Sequence, residues 1–244
     1  MSRITGTGAV VASGDVLTLN ESVPSHDLGE IVHLSDGRAF RYVLAGGTTL
    51  VAGNLIQSQA QATDSQSLIV AAAAIGAMEI TTTDTTTVTA NEFAGGWVLV
   101  TGEASTGRGQ LLRIKSHPAA TAAVVTLTLE DSVQVALTAT SQIDLVHNPY
   151  SNVIQNPTTA TGSVIGVAIA PITNGNYGFI QVKGVAPVLA QGALTIGTLC
   201  VASNGVAGAV ELATNASTEA QQPVGTATTG VADAENGAVL LNLV

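Results

Sequence analysis

The stretch WVLVTGEASTGRGQLLRIKS, residues 97–116, decides how this chain is read. Its middle, GEASTGRG, spaces Gly102 and Gly107 as the phosphate-binding loop G-x-x-x-x-G-K-[S/T] spaces its glycines. It departs from that loop at both chemically active positions. Arg108 stands where a lysine should reach the phosphates, and Gly109 where a Ser or Thr should hold Mg²⁺. A phosphate loop must also open a helix, whose first amides hold the anion. Here the loop leads instead into QLLRIKS, with the alternating faces of a half-buried strand. WVLVT and QLLRIKS are therefore expected to form a hairpin, with glycine supplying positive φ in its loop.

Composition extends that reading. Charged residues are 10% of the 244, against about 25% in ordinary domains. Apolar residues reach 46% while aromatics are only 3%, and Ala, Gly, Thr and Val dominate. That mixture fits many short strands and tight turns rather than Leu/Glu/Lys-rich bundles. The resulting surface is weakly charged and suited to contact with other copies or a partner. The length fits one large domain or two of roughly 100–150 residues.

The net charge of −10 sets 17 acids against seven scattered bases: Arg3, Arg38, Arg41, Arg108, Arg113, Lys115 and Lys183. Phosphate neutralisation needs clustered bases, so no nucleic-acid partner is expected. The single cysteine, Cys200, lies in IGTLCVASNG and reads as a buried structural thiol. The start, MSRITGTGAVVASGD, lacks the apolar core of a secretion signal. The run LIVAAAAIGAM (68–78) is shorter than the about 20 residues a membrane helix needs. The expectation is a soluble protein made in a cytoplasm without a signal peptide, which stays there or is carried out as part of something larger, with no membrane partner.

The expected fold is mainly β: β-sandwich or β-barrel units of short antiparallel strands, with little helix. Residues 1–25 read as an N-terminal arm with one strand, DVLTL (15–19). Residues 26–155 read as a β domain and 156–244 as a smaller β-barrel-like domain, linked through HNPYSNVIQNPTTATG (147–162). Asp36-Gly37 marks a hairpin between EIVHL and AFRYVL. Residues 57–67 are a loop or weak helix. Residues 68–80 read as strands, with a short helix around 66–75 as the alternative. AVVTLTL, VQVAL and QIDLV complete a series of strand-length runs.

Two internal echoes stand out. IGVAIAPITNGNYGFIQV and VGTATTGVADAENGAVLL share the frame G-x-A-x(9)-G, set by Gly166, Ala168 and Gly178 and by Gly225, Ala227 and Gly237. Each reads as a β-hairpin. LVAGNL (50–55) and LAQGAL (189–194) share L-x-x-G-x-L. Together they suggest stacked strands of similar length.

The chemistry is sparse. His26, His33, His117 and His147 occur singly, none at metal-ligand spacing, so no metal and no cofactor are expected. There is no G-x-S-x-G elbow and no Ser-x-x-Lys pair. Asp84, Glu92, Glu103, Glu130, Asp131 and Asp144 offer carboxylates, but one Trp and three Tyr make a poor sugar cleft. No catalytic residue is nominated. Trp97 is expected in the core or at a subunit contact, and Tyr150 at a boundary between units.

The segments FAGGWVLVTGEASTGRGQLLRIKSHPAA, SQIDLVHNPYSNVIQ and VKGVAPVLAQGALTIGTLCVASNGVAGAV…QPVGTATTGVADAENGAVLLNLV resemble structural proteins of tailed-bacteriophage virions. The last is similar in style to small β-barrel head decoration, or cement, proteins. The resemblance rests on turn glycines and apolar strands over about the last two-thirds of the chain. It implies a non-enzymatic homotrimer on the capsid surface of the virion, tying major capsid protein subunits together. A tail or head-fibre component with receptor binding is the alternative, and a carboxylate-dependent polysaccharide hydrolase a more distant one. Interface candidates are Arg3 on the arm, Arg108 on the hairpin tip, Trp97 and Tyr150.

Overall fold

The computed structural model describes residues 13–83, 87–102, 104–121, 124–213 and 221–243. Strands hold 44% of the residues and helix 3%, so the fold is mainly β. Its antiparallel sheets curl into half-barrel and nearly closed barrel shapes. The chain opens with α1 (Ser13–Thr18), β1 (Ile31–His33), β2 (Ala39–Leu44) and β3 (Leu55–Gln57). A middle stretch supplies β4 (Leu68–Ile69), β5 (Glu79–Thr83), β6 (Thr87–Val88), β7 (Trp97–Thr101), β8 (Leu111–Ser116), β9 (Ala120–Thr121), β10 (Val124–Leu129) and β11 (Gln142–Val146). The final stretch supplies β12 (Ile154–Gln155), β13 (Val164–Ala168), β14 (Tyr177–Leu189), β15 (Leu199–Ala202), β16 (Val210–Leu212), β17 (Pro223–Ala227) and β18 (Asn236–Asn242).

The chain divides into two compact units, Met1–Ala60 with Pro149–Val244, and Gln61–Asn148. The boundary expected at residue 155 instead falls inside the first unit. There β3 pairs with both β12 and β13, so residues on either side of 155 share one sheet. Long-range pairing, invisible to a scan for linkers, sets the division.

The middle unit is a six-stranded antiparallel sheet in the order β4-β11-β7-β8-β10-β5. A bridge between Val70 and Thr82, and an Ala71 N–H bond to the Thr81 carbonyl, join its two ends. Alternation then sends one side chain in two to the interior: Val98 and Val100, Leu112 and Ile114, Val125 and Leu127, Ile143 and Leu145. The expected hairpin of β7 and β8 is present, antiparallel, with Trp97 opposite Arg113 and Leu99 opposite Leu111. The strand reading of 68–80 holds at its two ends, β4 and the start of β5, while the residues between them form isolated bridges at Val70 and Ala73 and a turn at Gly76.

Two strand expectations do not hold. VQVAL runs antiparallel beside residues 73–77, with one bridge where Ala73 and Leu137 exchange two backbone bonds and with Val133 bonded to Gly76 and Ala77, but without a continuous ladder. The Gln110 side chain takes the amides of Gln134 and Val135 that a strand partner would have taken. DVLTL lies in α1 and its C-terminal flank rather than in a strand. Val16 is buried with Phe40, Tyr42 and Phe179, and Leu17 and Leu19 pack at that cluster. Tertiary burial of one face overrides local β preference there.

The larger unit contains one five-strand motif twice. The first copy is β2, β3, β12, β13 and the first half of β14. The second is the second half of β14, then β15, β16, β17 and β18. Their registers match strand for strand. Leu44, Val43, Tyr42, Arg41 and Phe40 face Tyr177, Gly178, Phe179, Ile180 and Gln181. Leu189, Val188, Pro187, Ala186 and Val185 face Asn236, Gly237, Ala238, Val239 and Leu240. Gln57, Ile56 and Leu55 face Val164, Gly166 and Val167, with an irregularity before Gly166. Val201, Cys200 and Leu199 face Pro223, Gly225 and Thr226 with the same irregularity before Gly225.

The connections match too. Parallel bridges join Ala45 to Val153 and Ala190 to Val210, and antiparallel ones join Leu50 to Ile172 and Leu194 to Val231. Gly175 N–H bonds the Ala45 carbonyl at 2.9 Å, and Ala234 N–H bonds that of Ala190 at 3.0 Å. Those two turn residues share the left-handed region, at φ 80° and 63°. The first sequence echo is therefore a structural repeat of two hairpins. The second echo is real but displaced: LVAGNL corresponds to LTIGTL (194–199), not to LAQGAL. Gly53 and Gly197 occupy its turn at φ 85° and 81° and bond the carbonyls of Ala168 and Ala227.

The copies differ in the connection between their second and third strands. Residues 203–209 join β15 to β16, whereas the whole middle unit lies between β3 and β12. Gln57 pairs with Ile154 across that point, so the insertion leaves and re-enters on adjacent strands.

Candidate interaction surfaces

The GEASTGRG loop joins β7 to β8 and turns back within a few residues. Gly109 N–H reaches the Val100 carbonyl at 2.9 Å, and Gly102, Gly107 and Gly109 all have positive φ. Arg108 is exposed on this loop, as an interface candidate requires. Trp97 is not in the core. The inward positions of β7 belong to Val98 and Val100, so Trp97 lies half-buried on the outer face, between Val146 and Arg113 on the adjacent strands. Leu99 and the largely exposed Leu111 continue that face, so it is apolar for part of its length. Arg113 pairs with Glu130 at 3.0 Å; both are about half exposed, so the pair adds little stability.

The aromatic anchor of this barrel is Phe93, which sequence reasoning passes over. Its ring stacks on His147 at 4.4 Å, and its amide donates to His117 Nε2 at 3.0 Å. His117 and His147, thirty residues apart in sequence, thus meet around one ring. Burial holds the His147 imidazole below its usual range, and Glu92 at 3.6 Å offsets only part of that effect. Two further carboxylates of this unit hold backbone amides. Asp131 accepts the Arg113 amide at 3.2 Å, and Asp144 accepts the Ser67 amide at 2.7 Å. Asp84 and Glu103 lie outside the described residues. No group of three metal-ligating side chains occurs among the described residues.

In the larger unit, Tyr150 packs at the core cluster of Val43, Leu50 and Ile180, with the Arg41 guanidinium 4.9 Å above its ring. Gly29 admits the ring, since a Cβ there would lie 2.5 Å from it. Tyr42 donates to Glu21, as does the Ser25 hydroxyl. Burial and the Glu21 carboxylate together push the Tyr42 phenol well above its usual range. Burial would raise Glu21, but the Ser25 and Tyr42 hydrogen bonds outweigh it and hold the carboxyl low. This cluster pins the segment before β1 over the outer face of β2. Cys200 is fully buried at the position Ile56 takes in the other copy, and burial pushes its thiol up. Arg3 lies outside the described residues.

One row of side chains distinguishes the two copies. In the first, Phe40, Gln181, Val167 and Leu55 are successive cross-strand neighbours, all at 0% exposure. In the second, the corresponding row is Val185, Leu240, Thr226 and Leu199. Val185, Leu240 and Leu199 are 49%, 48% and 47% exposed. A groove follows this row, lined also by Lys183, Gly184 and Pro223. No helix among the described residues is long and apolar enough to cross a membrane. No family model, no curated protein and no solved structure matches this chain.

Proposed function

We propose that this chain is a non-enzymatic structural protein of a phage virion, which decorates the outer capsid surface and stabilises it through contacts with major capsid protein. The observation that carries the reading is the arrangement of the segment that resembles cement proteins. The second half of β14 and strands β15 to β18 form one antiparallel sheet, in the order β14-β18-β17-β15-β16, over an apolar cluster. Such a sheet, with a weakly charged surface, supplies broad contact area at many equivalent shell sites. Repetition over those sites gives avidity without strong individual contacts. Contacts between copies of the chain, in a trimer, belong to the same reading.

Co-sedimentation of the purified chain with capsids tests it. Saturable occupancy is expected, and removal of residues 1–12, which spares α1 and the buried Val16, should reduce it if that arm adds a strand to an exposed sheet edge. Absence of any co-sedimentation overturns the capsid role. Polysaccharide turnover that one Asp or Glu substitution abolishes would replace it with a hydrolase.

A further inference from the structure

The two copies of the five-strand motif pose one question: why is the same cross-strand row dry in one and open in the other? In the first copy the chain covers the row itself. Phe40 sits in a cluster with Val16 and Leu34, from the segment preceding β2. Leu55 and Val167 sit in a cluster with Ala186, Val188 and Leu194 of the second copy. Both covers are apolar surfaces of this polypeptide: α1 and the turn after β1 in one case, strand and turn residues of the second copy in the other. In the second copy nothing among the described residues plays either part.

We infer that the face formed by Val185, Leu240, Thr226 and Leu199 docks a second copy of this chain, sheet face against sheet face. The row crosses four adjacent strands, so its three aliphatic side chains and the partly buried Thr226 between Leu240 and Leu199 form one band rather than scattered side chains. Pro187 and Ala238 extend the band where the first copy has Tyr42 and Phe179. Small side chains at those positions leave a low surface, which suits a second sheet about 10 Å away. The rim carries both signs of charge: Asp36 pairs with Arg38 at 2.7 Å, and Lys183 stands beside them. A like face approaching it therefore meets no block of one sign. Apolar bands of this kind on a protein surface mark contact sites.

This inference rests on the homo-oligomeric part of the proposed function and not on the capsid part. Sedimentation of the full chain over a dilution series tests it. A mass above that of one chain is expected, falling on dilution. Leu240→Lys and Val185→Glu should each raise the dissociation constant at least about tenfold, the scale of one well-buried interface side chain. Leu111→Lys, on the equally exposed apolar face of the middle unit, should leave the mass unchanged. Should a charged variant fail to fold, Leu240→Ser and Val185→Ser carry the same test. A wild-type chain that stays single throughout overturns the inference. So does an oligomer indifferent to these substitutions, or one that Leu111→Lys disrupts equally. Intact oligomers that ignore capsids would instead remove the capsid role and leave this contact standing.

Discussion

The two copies of the five-strand motif share register, turns and bridges, yet they stand in different surroundings. The first is covered on its outer face, carries an aromatic cluster there, and hosts the middle unit in one connection. The second keeps small or aliphatic side chains on the same face and closes the same connection in residues 203–209. Strand register and core volume therefore belong to the motif, whereas the outer face answers to whatever lies over it. Interior positions correspond closely: Val43 with Val188, Leu50 with Leu194, Ile180 with Val239. Outer positions diverge, with Phe40 against Val185 and Phe179 against Ala238.

Emptying the covered row should have the largest effect. Phe40→Ala should cost about 3–5 kcal/mol, because the ring is fully buried. Val185→Ala at the corresponding open position should cost under about 0.5 kcal/mol. Urea unfolding at a concentration where the chain is single reads both. Equal losses would show that the two rows are not differently covered.

A smaller effect probes the shared turn. Gly175→Ala places a Cβ in the left-handed region and should destabilise by about 1 kcal/mol. Ala234→Gly removes that strain, and after the entropy of the freed chain should stabilise by about 0.5 kcal/mol. Opposite signs support the equivalence of the two turns; a shared sign refutes it.

Titration separates the units. Among the described residues the buried histidines are His117 and His147, both in the middle unit. With the His147 pKa lowered in the folded state, the unfolded chain binds the extra proton first. Stability should therefore be flat above about pH 6.5, the ordinary histidine value, and decline as pH falls below it. His147→Gln should flatten that decline, read by thermal unfolding across the pH series.

The largest deletion should have the smallest consequence. Joining Ala60 to Pro149 by a short Gly-Ser linker removes the middle unit at a point where β3 and β12 already pair. The remaining unit should unfold cooperatively within a few degrees of its original midpoint, a shift of about 1 kcal/mol or less. Loss of cooperative unfolding would mean that the insertion is integral to the motif.

Much of the fold is legible in local sequence. Alternation in QLLRIKS and QIDLV, and turn residues at Asp36-Gly37 and around Gly107, locate strands and hairpins, because side-chain period and positive φ are properties of a few adjacent residues. The G-x-A-x(9)-G frame finds the repeated hairpin for the same reason. Among the candidate surfaces, Arg108 lies on an exposed tip as expected, since a glycine-bounded loop between strands projects outward. Of the two places expected for Trp97, the core is ruled out, because alternation hands the interior to Val98 and Val100. Phe93 lies in a turn, where no period marks an inward position.

Adjacent residues alone thus establish a β protein, the places where its hairpins turn, and the recurrence of one hairpin. Three further features emerge only from the folded chain: the recurrence extends to five strands, LVAGNL answers to LTIGTL, and the middle unit interrupts one copy. The dry Phe40 row and the open Val185 row are likewise products of tertiary packing. Strand partners and coverings come from residues far away along the chain, and burial depends on what those residues bring, not on the side chain that is buried.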